Sequence, residues 1–190
     1  MLFFKKKFQS ILGKYPFSHI DFIIAGTQKG GTTALDEYFR AHQNICMADK
    51  KEVHFFDDDR YFEKKSPNYS KYHKYFSPND YSQVIGEATP IYMYWNKAIE
   101  RIHVYNPKIK LIIILRNPID RAFSHWNMER DKGRESRTFL TAILDEDSKI
   151  NSPNYSQNKI LSYLDRGYYS QQIKNIYNYF NKNQLLILRS

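Results

Sequence analysis

At 190 residues the chain has the length of one domain and enough sequence to bury a sizeable core. Lysine and arginine number 29 against 20 aspartate and glutamate, a formal net charge of +9, which favours anionic partners: nucleic acid, a membrane surface, a nucleotide or an acidic polysaccharide. The single cysteine, Cys46, excludes an intrachain disulfide and fits a cytoplasmic protein, and no stretch approaches the ~20 apolar residues of a membrane span.

Only the short run Met1-Leu2-Phe3-Phe4 precedes Lys5-Lys6-Lys7, the reverse of signal-peptide order, so residues 1–18 read as a solvated arm. The apolar run 20–25 predicts a strand. It breaks into a glycine-rich turn at Gly26 and re-enters a helical pattern at 32–42. A short run at 44–47 follows, with Cys46 expected as a small core residue. Residues 60–80, rich in Tyr, Lys, Ser, Pro and Asn, read as an excursion from the sheet. Its Tyr69, Tyr72, Tyr75 and Phe76 recur near helical spacing and are expected first as local core.

Strands are predicted at 83–86, 110–115 and 185–188, and amphipathic helices at 95–105, 118–130 and 168–180. The run Leu111–Leu115 is apolar throughout, as in a strand buried on both faces. A second excursion, 131–157, carries a short amphipathic piece at 138–144. Strands alternating with helices predict a parallel α/β sheet with ligands at the carboxyl ends of its strands, where Gly26 and Arg116 fall. With no further apolar run after 185–188 to cover that strand, the single domain 1–190 is expected to be incomplete at its C-terminus.

The chemistry begins at Gly26-Thr27-Gln28-Lys29-Gly30-Gly31-Thr32-Thr33. A strand, a glycine turn and a helix start form an anion cradle, because glycine lets backbone approach and the helix N–H groups are unpaired. Gly26 and Gly31 have the spacing of a nucleotide triphosphate loop, but Thr32 occupies the lysine position and the loop lysine is Lys29. The pattern resembles the 5′-phosphosulfate loop of sulfotransferases that use 3′-phosphoadenosine 5′-phosphosulfate (PAPS).

Three further segments carry the resemblance, in order and spacing. Lys50-Lys51-Glu52-Val53-His54-Phe55-Phe56-Asp57 is similar to the K-E-x-H-F-F-D segment of heparan sulfate N- and 3-O-sulfotransferases and their bacterial relatives. Gly86-Glu87-Ala88-Thr89-Pro90-Ile91-Tyr92 resembles their E-x-(T/S)-P-x-Y segment, and Leu115-Arg116-Asn117-Pro118 through Arg121 and Ser124 resembles their 3′-phosphate site. Gly167-Tyr168-Tyr169 and 185–188 continue the likeness.

The resemblance implies a P-loop-like three-layer α/β/α fold around a central parallel sheet, and sulfuryl transfer from PAPS to a hydroxyl or amine of a carbohydrate or small acceptor. It makes Glu52 the general base and Lys29 the group that stabilises the transferring sulfuryl. Lys29, Gly30, Gly31, Thr32 and Thr33 would hold the 5′ end, and Arg116 with Ser124 the 3′-phosphate. Desolvation by Val53, Phe55 and Phe56 is expected to raise the Glu52 pKa, against the opposing charge of Lys51. Asn117 and Pro118 read as N-cap and first helical residue. His54 is expected to orient rather than to act as base.

No metal is expected, and Asp57-Asp58-Asp59 reads as a solvated loop. Ala88 stands where the heparan-type enzymes carry lysine. Two alternatives are a P-loop nucleotide kinase or NTPase, for which no convincing Walker B aspartate follows 110–115, and a non-catalytic polyanion-binding module. No nucleic-acid motif supports the last.

Overall fold

The computed structural model describes residues 17–64, 66–79 and 83–190. The apolar runs become β1 (Phe22–Gly26), β2 (Ile45–Met47), β3 (Val84–Ala88), β4 (Lys110–Leu115) and β5 (Leu185–Arg189), one sheet in the order β2-β3-β1-β4-β5. Every pairing is parallel. Between them lie the helices α1 (Thr32–Arg40), α2 (Ser70–His73), α3 (Asn96–Tyr105), α4 (Pro118–Asp131), α5 (Phe139–Ile150) and α6 (Tyr169–Tyr177).

Side chains alternate across the central strands, and both faces are covered. Ile23, Ala25, Leu111 and Ile113 pack with Ile99 and Ile102 of α3 and Ile176 of α6. Phe22, Ile24 and Ile112 face Leu35 and Phe39 of α1. Those two faces make the three layers expected of a P-loop-like α/β/α fold, and explain why β1 and β4 are apolar without alternation. Each fully buried Ile or Leu here stabilises the fold by about 1.5–3 kcal/mol.

The chain runs from β1 outward to β2, returns through β3, and then crosses to the other side of β1 at β4. Strand order therefore reverses between β1 and β4, and the crevice at such a reversal is where open α/β sheets bind ligands. Gly26 and Arg116 sit at its two sides.

The excursion at 60–79 contributes core, as its aromatic spacing predicts: Tyr72 is fully buried and Phe76 nearly so. Cys46 is buried, and burial raises its thiol pKa. Strand β3 extends two residues beyond the predicted 83–86, and α5 is longer than the predicted amphipathic piece. Phe17, assigned to the solvated arm, instead packs on the core with its ring 5.0 Å from that of His73; residues 1–16 of the arm lie outside the described residues. Among the described residues no helix is long and apolar enough to cross a membrane.

Gly30 is where the loop after β1 touches the sheet. A Cβ there would lie 2.4 Å from the Ile114 carbonyl oxygen and 2.9 Å from that of Thr27. Both are backbone atoms that a side-chain rotation cannot move. Gly30→Ala is therefore expected to lower stability by about 1–3 kcal/mol, as overpacking does, measured by urea denaturation, and to displace the loop.

Candidate active site

Seven of the eight site residues read from the sequence line one cleft of about 350 Å³: Lys29, Gly31, Thr32, Thr33, Glu52, Arg116 and Ser124. The eighth, Gly30, lies beneath it against β4. Helix α1 opens at Gly31, whose φ of 97° suits glycine, with no side chain capping its first N–H groups and no acid in its first turn. Lys29 takes a left-handed φ of 68° in the same turn. Its ammonium makes no ion pair or hydrogen bond among the described residues.

Arg116 leaves the end of β4 as α4 begins. Asn117 caps that helix, its side-chain oxygen accepting from Ile119 N–H and Asp120 N–H, with Pro118 as first helical residue. Both assignments match the sequence reading. Arg116 Nη1 donates to the Lys29 carbonyl at 3.3 Å, and among the described residues it pairs with no carboxylate. Tyr169 Oη in turn donates to the Arg116 carbonyl at 2.9 Å. The cleft's charged lining is Lys29, Lys51, Arg116 and Lys132 against the single carboxylate of Glu52. Such a site attracts a multiply charged anion.

The carboxylate side of the cleft hangs from the end of β3. Glu52 N–H donates to the Ala88 carbonyl at 3.0 Å. Glu52 and His54 both hold left-handed backbone, φ 58° and 56°, strained for residues with a side chain. The Glu52 carboxylate lies 3.1 Å from Lys51 Nζ and 3.4 Å from His54 Nε2. His54 Nδ1 reaches both Asp57 oxygens at 3.1 Å. Asp57 also accepts from Lys159 Nζ at 3.2 Å. The imidazole is thus held between two carboxylates, the orienting place expected for it.

The expectation of a raised Glu52 pKa is overturned. The hydrogen bond from His54, then the charge of Lys51, outweigh desolvation and bring the carboxyl down to about 2. His54 is pushed up to about 9 by its bonds to Asp57 and Glu52. Asp57 is likewise not in a solvated loop: it is buried on His54 and Lys159, while Asp58 pairs with Arg60 and Asp59 with Arg101.

The signs set a pH window. Glu52, depressed below its ordinary 4.5, stabilises the fold above that pH and loses the contribution as pH falls toward 2. His54, raised above its ordinary 6.5, contributes fully below that pH and loses it as pH rises through 9. In His54→Asn the Glu52 pKa is expected to climb back toward 4.5, and in wild type His54 should lose its proton only near 9. NMR titration of both proteins checks this.

A buried network beneath the loop holds these residues. Glu87, fully buried in β3, accepts from Tyr72 Oη at 2.5 Å, Thr89 Oγ1 at 2.6 Å and Tyr92 Oη at 3.3 Å. Tyr92 Oη accepts from Phe55 N–H and Phe56 N–H. The E-x-T-P-x-Y segment thereby clamps the strained turn that carries Glu52 and His54. Burial pushes the Glu87 carboxyl up to about 7. On the donor side, buried Arg166 donates to the Gln28 side chain and, at 2.6 Å, to the Lys159 carbonyl.

Sequence reasoning gave no role to Glu87, Arg166 or Lys132, and read Lys51 only as a charge opposing a raised Glu52 pKa. For Lys132 a signal existed: Ser124, Met128 and Lys132 recur at four-residue steps, one face of α4, and all three line the cleft. Arg166 carried none, since its partner Gln28 is far away in sequence.

A parallel α/β sheet with a cationic cleft at its strand-order reversal has the architecture and charge of an anion-binding α/β protein. The family model for the sulfotransferase domain matches residues 19–189, and the chain belongs to that family. It is 36% identical over 118 residues to mouse heparan sulfate glucosamine 3-O-sulfotransferase 5, covering 62% of this chain and 33% of that protein. It is 34% identical over 107 residues to the membrane-associated sulfotransferase kil1 of Dictyostelium discoideum, covering 56% of this chain and 22% of that protein. The matched segments thus span a third or less of those relatives' lengths. A solved sulfotransferase from Alicyclobacillus acidocaldarius superposes with a TM-score of 0.77 at 26% identity, over 91% of this chain and 74% of the other.

Proposed function

We propose that the protein transfers a sulfuryl group from PAPS to a hydroxyl or amine of a carbohydrate or small-molecule acceptor. The observation that carries this is the convergence of Lys29, Gly31, Thr32, Thr33, Glu52, Arg116 and Ser124 on one cleft. Those residues come from the turn after β1 and the start of α1, from the turn after β2, from the residue that follows β4 and from α4, and a single anionic ligand would meet all of them.

In this scheme the N–H groups and hydroxyls at the start of α1, with the Lys29 ammonium, hold the 5′-phosphosulfate. Arg116 and Ser124 hold the 3′-phosphate; the guanidinium's planar fork suits it. Transfer forms a bond from the acceptor oxygen or nitrogen to sulfur and breaks the bond from sulfur to the bridging 5′-phosphate oxygen. Glu52 takes the acceptor's proton, and Lys29 offsets the charge gathering on the leaving phosphate.

A carboxylate at about 2 is always ionised at neutral pH yet a weak base. Glu52 gains basicity as the acceptor displaces His54 or Lys51 from it. Lys51 and Lys132 add positive charge to the cleft, and Lys51 supplies a cation where relatives rely on the lysine replaced by Ala88. No metal is part of this reaction. A cytoplasmic site of action belongs to the same proposal, resting on a sequence with one cysteine.

The test is calorimetric titration with 3′-phosphoadenosine 5′-phosphate beside ADP, followed by PAPS turnover with an acceptor panel. Preference for the 3′-phosphorylated nucleotide supports the proposal. Equal binding of ADP overturns it in favour of a kinase or NTPase, and binding of any polyanion without nucleotide preference favours a passive module.

A further inference from the structure

The two sides of the cleft are carried by turns that make no direct bond to each other. Gln28 and Lys29 follow β1, Glu52 and His54 follow β2, and β3 lies between those strands in the sheet. Among the described residues, no hydrogen bond or ion pair joins residues 26–33 to residues 50–57.

A third segment, 159–166, joins them. Arg166 is 2% exposed. Its Nη1 donates to the Gln28 side-chain oxygen, beside Lys29, and its Nη2 to the Lys159 carbonyl at 2.6 Å. Lys159 Nζ donates to the Asp57 carbonyl and, at 3.2 Å, to the Asp57 carboxylate. Both Asp57 carboxylate oxygens lie 3.1 Å from His54 Nδ1. One run of bonds therefore leads from the loop of Lys29 to the imidazole next to Glu52.

The mount of this run is firm. Glu146 of α5 accepts from the N–H groups of Tyr163, Leu164 and Asp165 at 2.6, 2.8 and 3.1 Å. Gln172 of α6 donates to the carbonyls of Asp165 and Arg166 at 3.3 and 3.2 Å. The Arg166 guanidinium lies 4.6 Å from the centre of the Tyr94 ring, and the Lys159 ammonium 4.4 Å from that of Trp95. Both long side chains are thus held along their length.

For the fold alone, arginine is an unfavourable choice at 166. Among the described residues no carboxylate pairs with it, its Nε is buried without a partner, and burial pushes its pKa down to about 10. A buried charge with no counter-ion destabilises, and an apolar chain of the same length would fill the space without that penalty. What arginine adds is a planar fork that meets two oxygens at once, where lysine offers a point charge. Here one oxygen belongs to the donor loop and the other to the residue that grips Asp57.

We propose that Arg166 and Lys159 are positioning residues that together hold the donor loop and the Glu52–His54 turn in register across the cleft. The inference rests on the transferase reading, to which it adds two residues that act through Gln28 and Asp57 and not on the reactants. Such supporting contacts keep reacting groups within the narrow geometry that transfer needs.

The test needs no acceptor. Lys159→Met, Arg166→Met, Arg166→Lys, Gln28→Ala and the double variant Gln28→Ala/Arg166→Met are first shown to be folded by urea denaturation. His54 is then titrated by NMR, and 3′-phosphoadenosine 5′-phosphate binding is measured by calorimetry. In Lys159→Met and both Arg166 variants the His54 pKa is expected to fall from about 9 toward 6.5, because Asp57 is no longer held against the imidazole. Mere loss of a neighbouring cation would raise it instead. Arg166→Met is expected to weaken the nucleotide about tenfold, the loss of one hydrogen-bonded contact. The double variant should bind no more weakly than Gln28→Ala alone, since Arg166 acts through Gln28. Lys159→Met should keep wild-type nucleotide affinity.

A His54 pKa that stays near 9 or rises in these variants overturns the proposal, as do nucleotide losses from Gln28→Ala and Arg166→Met that add. Should Arg166→Met fail to fold, Arg166→Lys takes its place in both titrations, and Lys159→Met still decides the His54 result. Equal binding of ADP and 3′-phosphoadenosine 5′-phosphate by wild type overturns the transferase reading instead, which the His54 titration does not touch.

Discussion

Glu52→Gln is expected to lower kcat by about 10²–10⁴-fold, the range that a positioned general base contributes, with donor affinity unchanged. Glutamine keeps the shape of the side chain and stays within reach of Lys51 and His54, but it cannot accept a proton. The main chain at residue 52 holds φ 58° through its bond to Ala88, which the substitution does not touch. Single-turnover rates at saturating PAPS isolate the chemical step. A variant that keeps wild-type rates removes Glu52 from the reaction. The same substitution removes a carboxylate from His54, so its pKa should fall from about 9, an effect visible by NMR with no substrate present.

Arg116→Ala is expected to weaken 3′-phosphoadenosine 5′-phosphate binding by about 10- to 100-fold while leaving ADP affinity nearly unchanged. A charge-assisted hydrogen bond contributes about 1.5–3 kcal/mol, and each ~1.4 kcal/mol is tenfold in affinity. Arg116 pairs with no carboxylate among the described residues, so its removal strands no buried charge. Its loss should therefore appear in binding rather than stability. Calorimetry with both nucleotides reads the result. A parallel loss for both would mean that Arg116 shapes the loop through the Lys29 carbonyl and does not read the 3′-phosphate.

The donor half of the site was legible in the sequence because its signals are local. A glycine turn between a strand and a helix, and an arginine before Asn-Pro at a strand end, each state their chemistry within about ten residues. The sheet was equally legible, since β1 and β4 are apolar throughout. The acid–base half was not read so well. Flanking Val53, Phe55 and Phe56 suggested desolvation, but left-handed backbone at Glu52 and His54 turns the carboxylate toward His54 and Lys51. Nearest neighbours in sequence could not announce that turn.

Glu87 stayed silent for a related reason. Its partners Tyr72, Thr89 and Tyr92 assemble from a helix in the excursion and from the turn after β3. A glutamate inside an apolar stretch gave β3 an apparent early end at Gly86, where the strand in fact continues to Ala88. Its raised pKa has its own sign: stability should fall as pH rises from 4.5 toward 7, the reverse of the Glu52 contribution.

The pairing of β1 with β4 makes the site a ruler. Neighbouring strands lie roughly 4.8 Å apart, and the loop after β1 is pinned to β4 by Thr27 N–H on the Ile114 carbonyl and by Gly30 pressed against the same oxygen. Arg116 follows Ile114 by two residues on β4's continuation. The distance between the loop after β1 and Arg116 is thereby set by the spine of the sheet, which side-chain changes in the cleft leave in place. On the proposed reading, substitutions there would alter how tightly either end of the nucleotide is gripped, but a longer or shorter ligand would require moving a central strand.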